Sequence, residues 1–167
     1  SEIFDISEKI GIKPNLVITN TRPNHLRTID DRVNSHIMHE TANYPLEQTL
    51  QSIFKQYSQD GELIITLHGW LRIMPPSICN DFEIYNGHPG LITKYPELKG
   101  KDPQARMIEG DYSTMGCVLH KVTAGVDEGE VLLSKEVSRK GLEDQDIFRI
   151  LSNISQELWV DFLKNKL

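Results

Sequence analysis

Asn86 and His88 stand two residues apart in the stretch IYNGHPGLI, 84–92, with Pro89 next and glycines at 87 and 90. In extended backbone, residues two apart point to the same side, so an amide and an imidazole can converge there. Pro89 fixes its own φ and biases His88 toward extended conformations. Gly87 and Gly90 let the chain bend or let a ligand come close. An amide N–H and a protonated imidazole are both hydrogen-bond donors, and two donors aimed at one point stabilise an oxyanion. Loss of one such donor costs about 3 kcal/mol of transition-state stabilisation. Taken alone, the stretch suits a turn with a capping Asn and a surface His better, since short motifs are weak.

The other reactive residue types carry less. Asp127 lies in AGVDEG, a turn-rich segment that by itself reads as a hairpin turn. Cys79 and Cys117 form no C-x-x-C pair and suggest no disulfide framework, which points to a reducing compartment and a cytoplasmic protein. His25, His36 and His39 show no ligand spacing with Cys or a carboxylate, so no metal is expected. A net charge of −6 with scattered Lys and Arg argues against a nucleic-acid partner, which needs clustered basic residues. The absence of a long apolar run or signal-peptide pattern argues against a membrane partner.

These residues need a frame. The spacing of Ile3, Phe4, Ile6 and Ile10 predicts a short helix stopped by Gly11, and NLVITN a buried strand. RPNHLRTIDDRVN reads as a turn and a polar helix, SHIMHE as a strand. Leu46, Leu50, Ile53, Phe54 and Tyr57 form one helical stripe with Pro45 near its start. ELIITL is a further strand, MPPSICNDF opens a helix, and FEIYN is a strand running into the Asn–His motif. A short helix follows around Gln104–Glu109, then two alternating strands in TMGCVLHKV and GEVLLSKEVS, and a long amphipathic helix ends the chain. Strands alternating with helices predict an α/β fold, a doubly wound and mostly parallel sheet flanked by helices. In such sheets ligands sit beyond the carboxyl ends of the strands, where NGHPG falls. With 167 residues and no linker, repeat or low-complexity tract, 1–167 reads as a single domain.

Together, IYNGHPGLI and TMGCVLHKVTAGVDEGEVLL resemble the folate-dependent formyltransferases, the glycinamide ribonucleotide transformylase family, and GWLRIMPP resembles an upstream segment of that family. The resemblance runs from about Asn15 to the C-terminus. It implies a co-substrate, 10-formyltetrahydrofolate, whose formyl carbon is attacked by an amine. It implies that Asn86 and His88 hold the developing oxyanion, and that Asp127 orients His88 and helps remove the amine proton. It implies folate contacts from Arg72, Ile73 and Met74, with Val122, Ala124 and Val126 on the other wall of the pterin pocket. Gly87, Pro89 and Glu157 fall at substrate-side positions. Cys117 and His120 match family positions and read as structural strand residues, as does His68. Such chemistry needs oxyanion stabilisation and proton transfer without a metal or a covalent nucleophile.

The chain departs from the pattern at Gly90, Thr93 and Met115, where the family usually has Ser, Pro and Thr. It also begins at about the helix after the family's Gly-rich phosphate loop. The family's first strand would lie between 15–20 and 62–67, so the expectation is an N-terminally incomplete domain, with a missing segment or a second chain completing the sheet. Glycinamide ribonucleotide is the leading acceptor on this reading, which places the chain in purine biosynthesis. Transfer to an amino-sugar nucleotide, hydrolysis of 10-formyltetrahydrofolate, and non-catalytic folate binding are the alternatives.

Overall fold

A computed structural model describes residues 2–19, 46–70 and 72–167, together with the backbone of 35–38. The predicted polar helix within 22–34 and the Pro45 start of the second helix lie outside the described residues. The chain packs as two compact units, Ser1–Asp60 and Gly61–Leu167, where the sequence reads as one domain. Each unit has its own sheet.

In the first unit, α1 (Glu2–Ile10) buries Phe4 and Ile6. It stops at Gly11, φ 75°. The N–H groups of Gly11 and Ile12 both donate to the Ser7 carbonyl, at 2.9 and 3.2 Å, in the left-handed stop that glycine allows. Strands β1 (Leu16–Thr19) and β2 (Ser35–Met38) pair in parallel. Helix α2 (Leu46–Ser58) buries Leu50 and Phe54, one turn apart on the predicted stripe.

The second unit orders β3 (Ile65–Leu67), β4 (Ile84–His88), β5 (Thr114–Lys121) and β6 (Val131–Ser138) side by side in that sequence. α3 (Pro76–Asp81) lies between β3 and β4 in the chain, with Pro76 where its missing N–H costs nothing. β3 and β4 are parallel, and Leu67, the last residue of β3, lies beside Asn86 in the middle of β4. The parallel pairing expected from the first half of the sequence stops there. β4–β5 and β5–β6 are antiparallel; β5 and β6 are joined by a short loop, the connection an antiparallel pair allows.

Helix α4 (Pro103–Glu109) precedes β5, and α5 (Asp144–Lys166) closes the chain. α5 buries Ile147, Leu151, Ile154, Leu158, Trp159 and Phe162. It covers one face of the sheet. Tyr85 of β4 stacks on Phe162 with ring centroids 4.7 Å apart, and the Cys117 thiol of β5 donates to the Leu151 carbonyl at 3.2 Å. Full burial of each such side chain contributes about 1.5–3 kcal/mol, which fixes the sheet that carries the polar residues on its other face.

Candidate active site

The antiparallel register sets Asn86 opposite His120 and His88 opposite Val118. Residues directly opposed across a ladder share a face, so Asn86, His88 and His120 project together, away from α5. The predicted same-side relation of Asn86 and His88 holds because β4 runs on through His88 instead of ending at Asn86.

Asp127 reaches this face from the loop between β5 and β6. Its φ of 51° is left-handed, a region that Asp tolerates better than most residues. The loop is closed by the Lys121 N–H donating to the Glu130 carbonyl at 2.9 Å and the Val122 N–H to the Ile84 carbonyl at 2.7 Å. A Cβ at Gly129 would overlap the Lys121 carbonyl oxygen, so this close approach requires glycine.

Asp127 sits between two imidazoles. His88 Nδ1 lies 3.3 Å from Asp127 Oδ2, and His120 Nε2 lies 3.4 Å from Oδ1. The Gly100 N–H donates to Oδ2 at 2.8 Å. Each imidazole's far nitrogen meets a backbone carbonyl: His88 Nε2 meets Leu98 at 2.8 Å, and His120 Nδ1 meets Lys121 at 2.7 Å. A carbonyl only accepts, so both of those nitrogens carry protons. On His88 this leaves Nδ1, which faces the carboxylate, as the position that can gain a proton.

His88 and His120 are 5 % and 2 % exposed, so desolvation weighs on every charge here. Burial pulls the His88 imidazole below its ordinary 6.5, outweighing the upward pull of the Asp127 carboxylate and the Leu98 carbonyl. Burial pushes Asp127 up, but the His120 imidazole, the Gly100 N–H and the His88 ring together hold it below its ordinary 3.8. Near neutrality the pair is therefore a carboxylate beside a neutral imidazole. It can take up a proton at His88 Nδ1 and stabilise the imidazolium that forms.

The two residues expected to act as donors on one oxyanion, Asn86 and His88, stand on one face of the sheet. His88 Nε2 is held by the Leu98 carbonyl, while Nδ1 faces the Asp127 carboxylate.

The remaining sequence-predicted residues are placed as follows. Gly87 points to the α5 side: a Cβ there would stand 2.8 Å from Trp159 Nε1, so packing, not a substrate, accounts for this glycine. A Cβ at Gly90 would stand 3.0 Å from His88 Nε2, so the family's usual Ser would press on the ring. Pro89 is half-buried between His88 and Gly90. Glu157 is an exposed residue of α5 paired with Lys135 of β6. Lys135 is opposite Cys117 in the ladder, so Glu157 lies on the α5 face and is not brought to the imidazole–carboxylate cluster. Met74 is packed in the core, 3 % exposed. Ile73 at 66 % and Val126 at 49 % are among the large apolar residues left in solvent, and Arg72 and Ala124 are exposed while Val122 is half-buried. An open depression of about 360 Å³ includes Tyr85, Lys121, Leu133 and Phe162 in its lining but none of Asn86, His88 or Asp127.

Two residues of the site escape sequence reasoning. His120 reads as a structural strand residue yet contacts Asp127; counting the β4–β5 register back from the loop would have set it beside Asn86. Arg106 of α4 donates to the Leu98 carbonyl at 3.1 Å, the same oxygen that takes the His88 proton, and no spacing in the sequence announces it.

The formyl transferase family model matches residues 6–147, which include every member of this cluster. The chain belongs to the formyl transferase family. This formyl transferase is 33 % identical over 104 residues to the phosphoribosylglycinamide formyltransferase of Dictyostelium discoideum, covering 58 % of this chain and 48 % of that one. It is 28 % identical over 115 residues to the methionyl-tRNA formyltransferase of Thermosipho africanus, covering 68 % and 36 %. The chain spans half or less of the length of these curated relatives. Its fold matches the phosphoribosylglycinamide formyltransferase structure from Streptococcus pneumoniae at TM-score 0.80 and 19 % identity, over 99 % of this chain and 92 % of that one. The formyltetrahydrofolate deformylase from Pseudomonas syringae matches at TM-score 0.77 and 16 % identity, over 98 % and 56 %. Among the described residues no helix is long and apolar enough to cross a membrane.

Proposed function

We propose that the chain transfers a formyl group from 10-formyltetrahydrofolate to a small-molecule amine, with glycinamide ribonucleotide the leading acceptor. The observation that supports this most is the contact of His88 Nδ1 with Asp127 Oδ2 at 3.3 Å, on the sheet face that also carries Asn86. The amine attacks the formyl carbon, and the carbonyl oxygen becomes an oxyanion beside the Asn86 amide. The proton leaves the amine for His88 Nδ1, directly or through water, and Asp127 stabilises the resulting cation. Collapse breaks the bond between the formyl carbon and the folate nitrogen, which recovers a proton from the imidazolium. The exposed Ile73 and Val126 suit the apolar face of a pterin.

The test is a panel of amines, glycinamide ribonucleotide among them, mixed with 10-formyltetrahydrofolate while release of deformylated folate is followed. Amine-dependent release, abolished by Asp127→Asn, is the expected result. Release at one rate with or without amine would mean hydrolysis, and no release at all would refute the reading.

A further inference from the structure

The turn 96–100 touches both members of the His88–Asp127 pair. Its Leu98 carbonyl accepts the His88 Nε2–H, and its Gly100 N–H donates to Asp127 Oδ2, both at 2.8 Å. The turn's own backbone bonds are local: the Leu98 N–H to Tyr95 at 3.0 Å and the Lys99 N–H to Pro96 at 3.2 Å. Arg106, one turn into α4, ties it down. Its Nη1–H donates to the Glu97 carbonyl at 2.6 Å, and Nη2–H donates to Leu98 at 3.1 Å and Lys99 at 2.7 Å. A guanidinium is a planar fork, so three successive carbonyls are held by one rigid group. The Leu98 oxygen then has two donors, one for each lone pair. α4 gives the fork a fixed base: Met107 is buried, and the Gly110 N–H donates to the Arg106 carbonyl at 2.9 Å.

We propose that Arg106 is a positioning residue for the His88–Asp127 pair, holding the 97–100 turn so that its carbonyl fixes the tautomer of His88 and its amide fixes the carboxylate of Asp127. The proposal rests on the reading that these two residues handle the proton of formyl transfer. Arg106 touches no reacting atom. Its loss lets the turn move, lets His88 sample the other tautomer, and misaligns Nδ1 with the attacking amine.

The experiment compares wild type with Arg106→Met, which removes charge and fork, and Arg106→Lys, which keeps the charge and the stem but not the fork. Imidazole ¹⁵N shifts of His88 report its tautomer with no substrate present, and steady-state formyl transfer reports kcat and KM. Wild type is expected to hold His88 as the Nε2–H tautomer and both variants as a mixture. kcat is expected to fall about tenfold in both, as displaced reacting groups do, with KM little changed. An unaltered tautomer in Arg106→Met, or an Arg106→Lys that matches wild type in both readouts, would overturn the proposal. Should Arg106→Met fail to fold, Arg106→Lys carries the same comparison. A wild type that transfers no formyl group to any amine would remove the functional reading, while the tautomer comparison would still decide whether Arg106 sets His88.

Discussion

Asp127 carries its carboxylate on left-handed backbone, so Asp127→Asn removes the charge and leaves a side chain that the conformation suits. We expect formyl transfer by this variant to drop by about two orders of magnitude or more, the usual worth of a proton-transfer partner. A comparable activity in the variant would show that the charge beside His88 is not used. Asn86→Ala should lower kcat by roughly 100-fold through loss of an oxyanion donor, in a steady-state assay at saturating folate. At this scale the sequence is uneven in what it shows. Asn86 and His88 are legible because period two is local. Asp127 is visible only by resemblance, since 39 residues separate it from His88 and a turn Asp looks like any other. Arg106 is invisible because its partners are backbone carbonyls, which carry no sequence identity.

Among the elements, β4 is the one under demand from both sides, with polar work on one face and Trp159 against Gly87 on the other. Gly87→Ala should destabilise the protein by about 1–3 kcal/mol, the cost of overpacking, measured by urea unfolding. Trp159→Leu in the same chain should recover part of that loss, so a double-mutant cycle gives a coupling well away from zero; strictly additive changes would mean that the indole does not crowd this strand. The helices and strands were readable from their periods: α5 shows its stripe, and the hairpin of β5 and β6 shows its alternation. The turn to antiparallel pairing after β4 was harder to anticipate, because a strand's own pattern does not say which way its neighbour runs.

For the molecule as a whole, acid acts through two buried groups with the same sign. His88 binds its proton less readily folded than unfolded. As pH falls below about 6.5, the ordinary value, the unfolded chain gains a proton that the folded one resists, and stability declines. Asp127 adds stability that is fully present above its unfolded value near 3.8 and is lost as pH falls through its lower folded one. Thermal unfolding followed from pH 7 to pH 5 should show a falling midpoint, and His88→Gln should flatten that slope; an identical slope in the variant would remove His88 as its cause. Trp159 gives such measurements a built-in gauge. Its indole is enclosed between α5 and Gly87, with the His68 ring 4.7 Å away, and Trp70 is the second of just two tryptophans in the chain. With Trp70→Phe in place, fluorescence would come from directly behind the strand that presents Asn86 and His88, so folate or amine arriving at that strand could be titrated by emission without any attached dye.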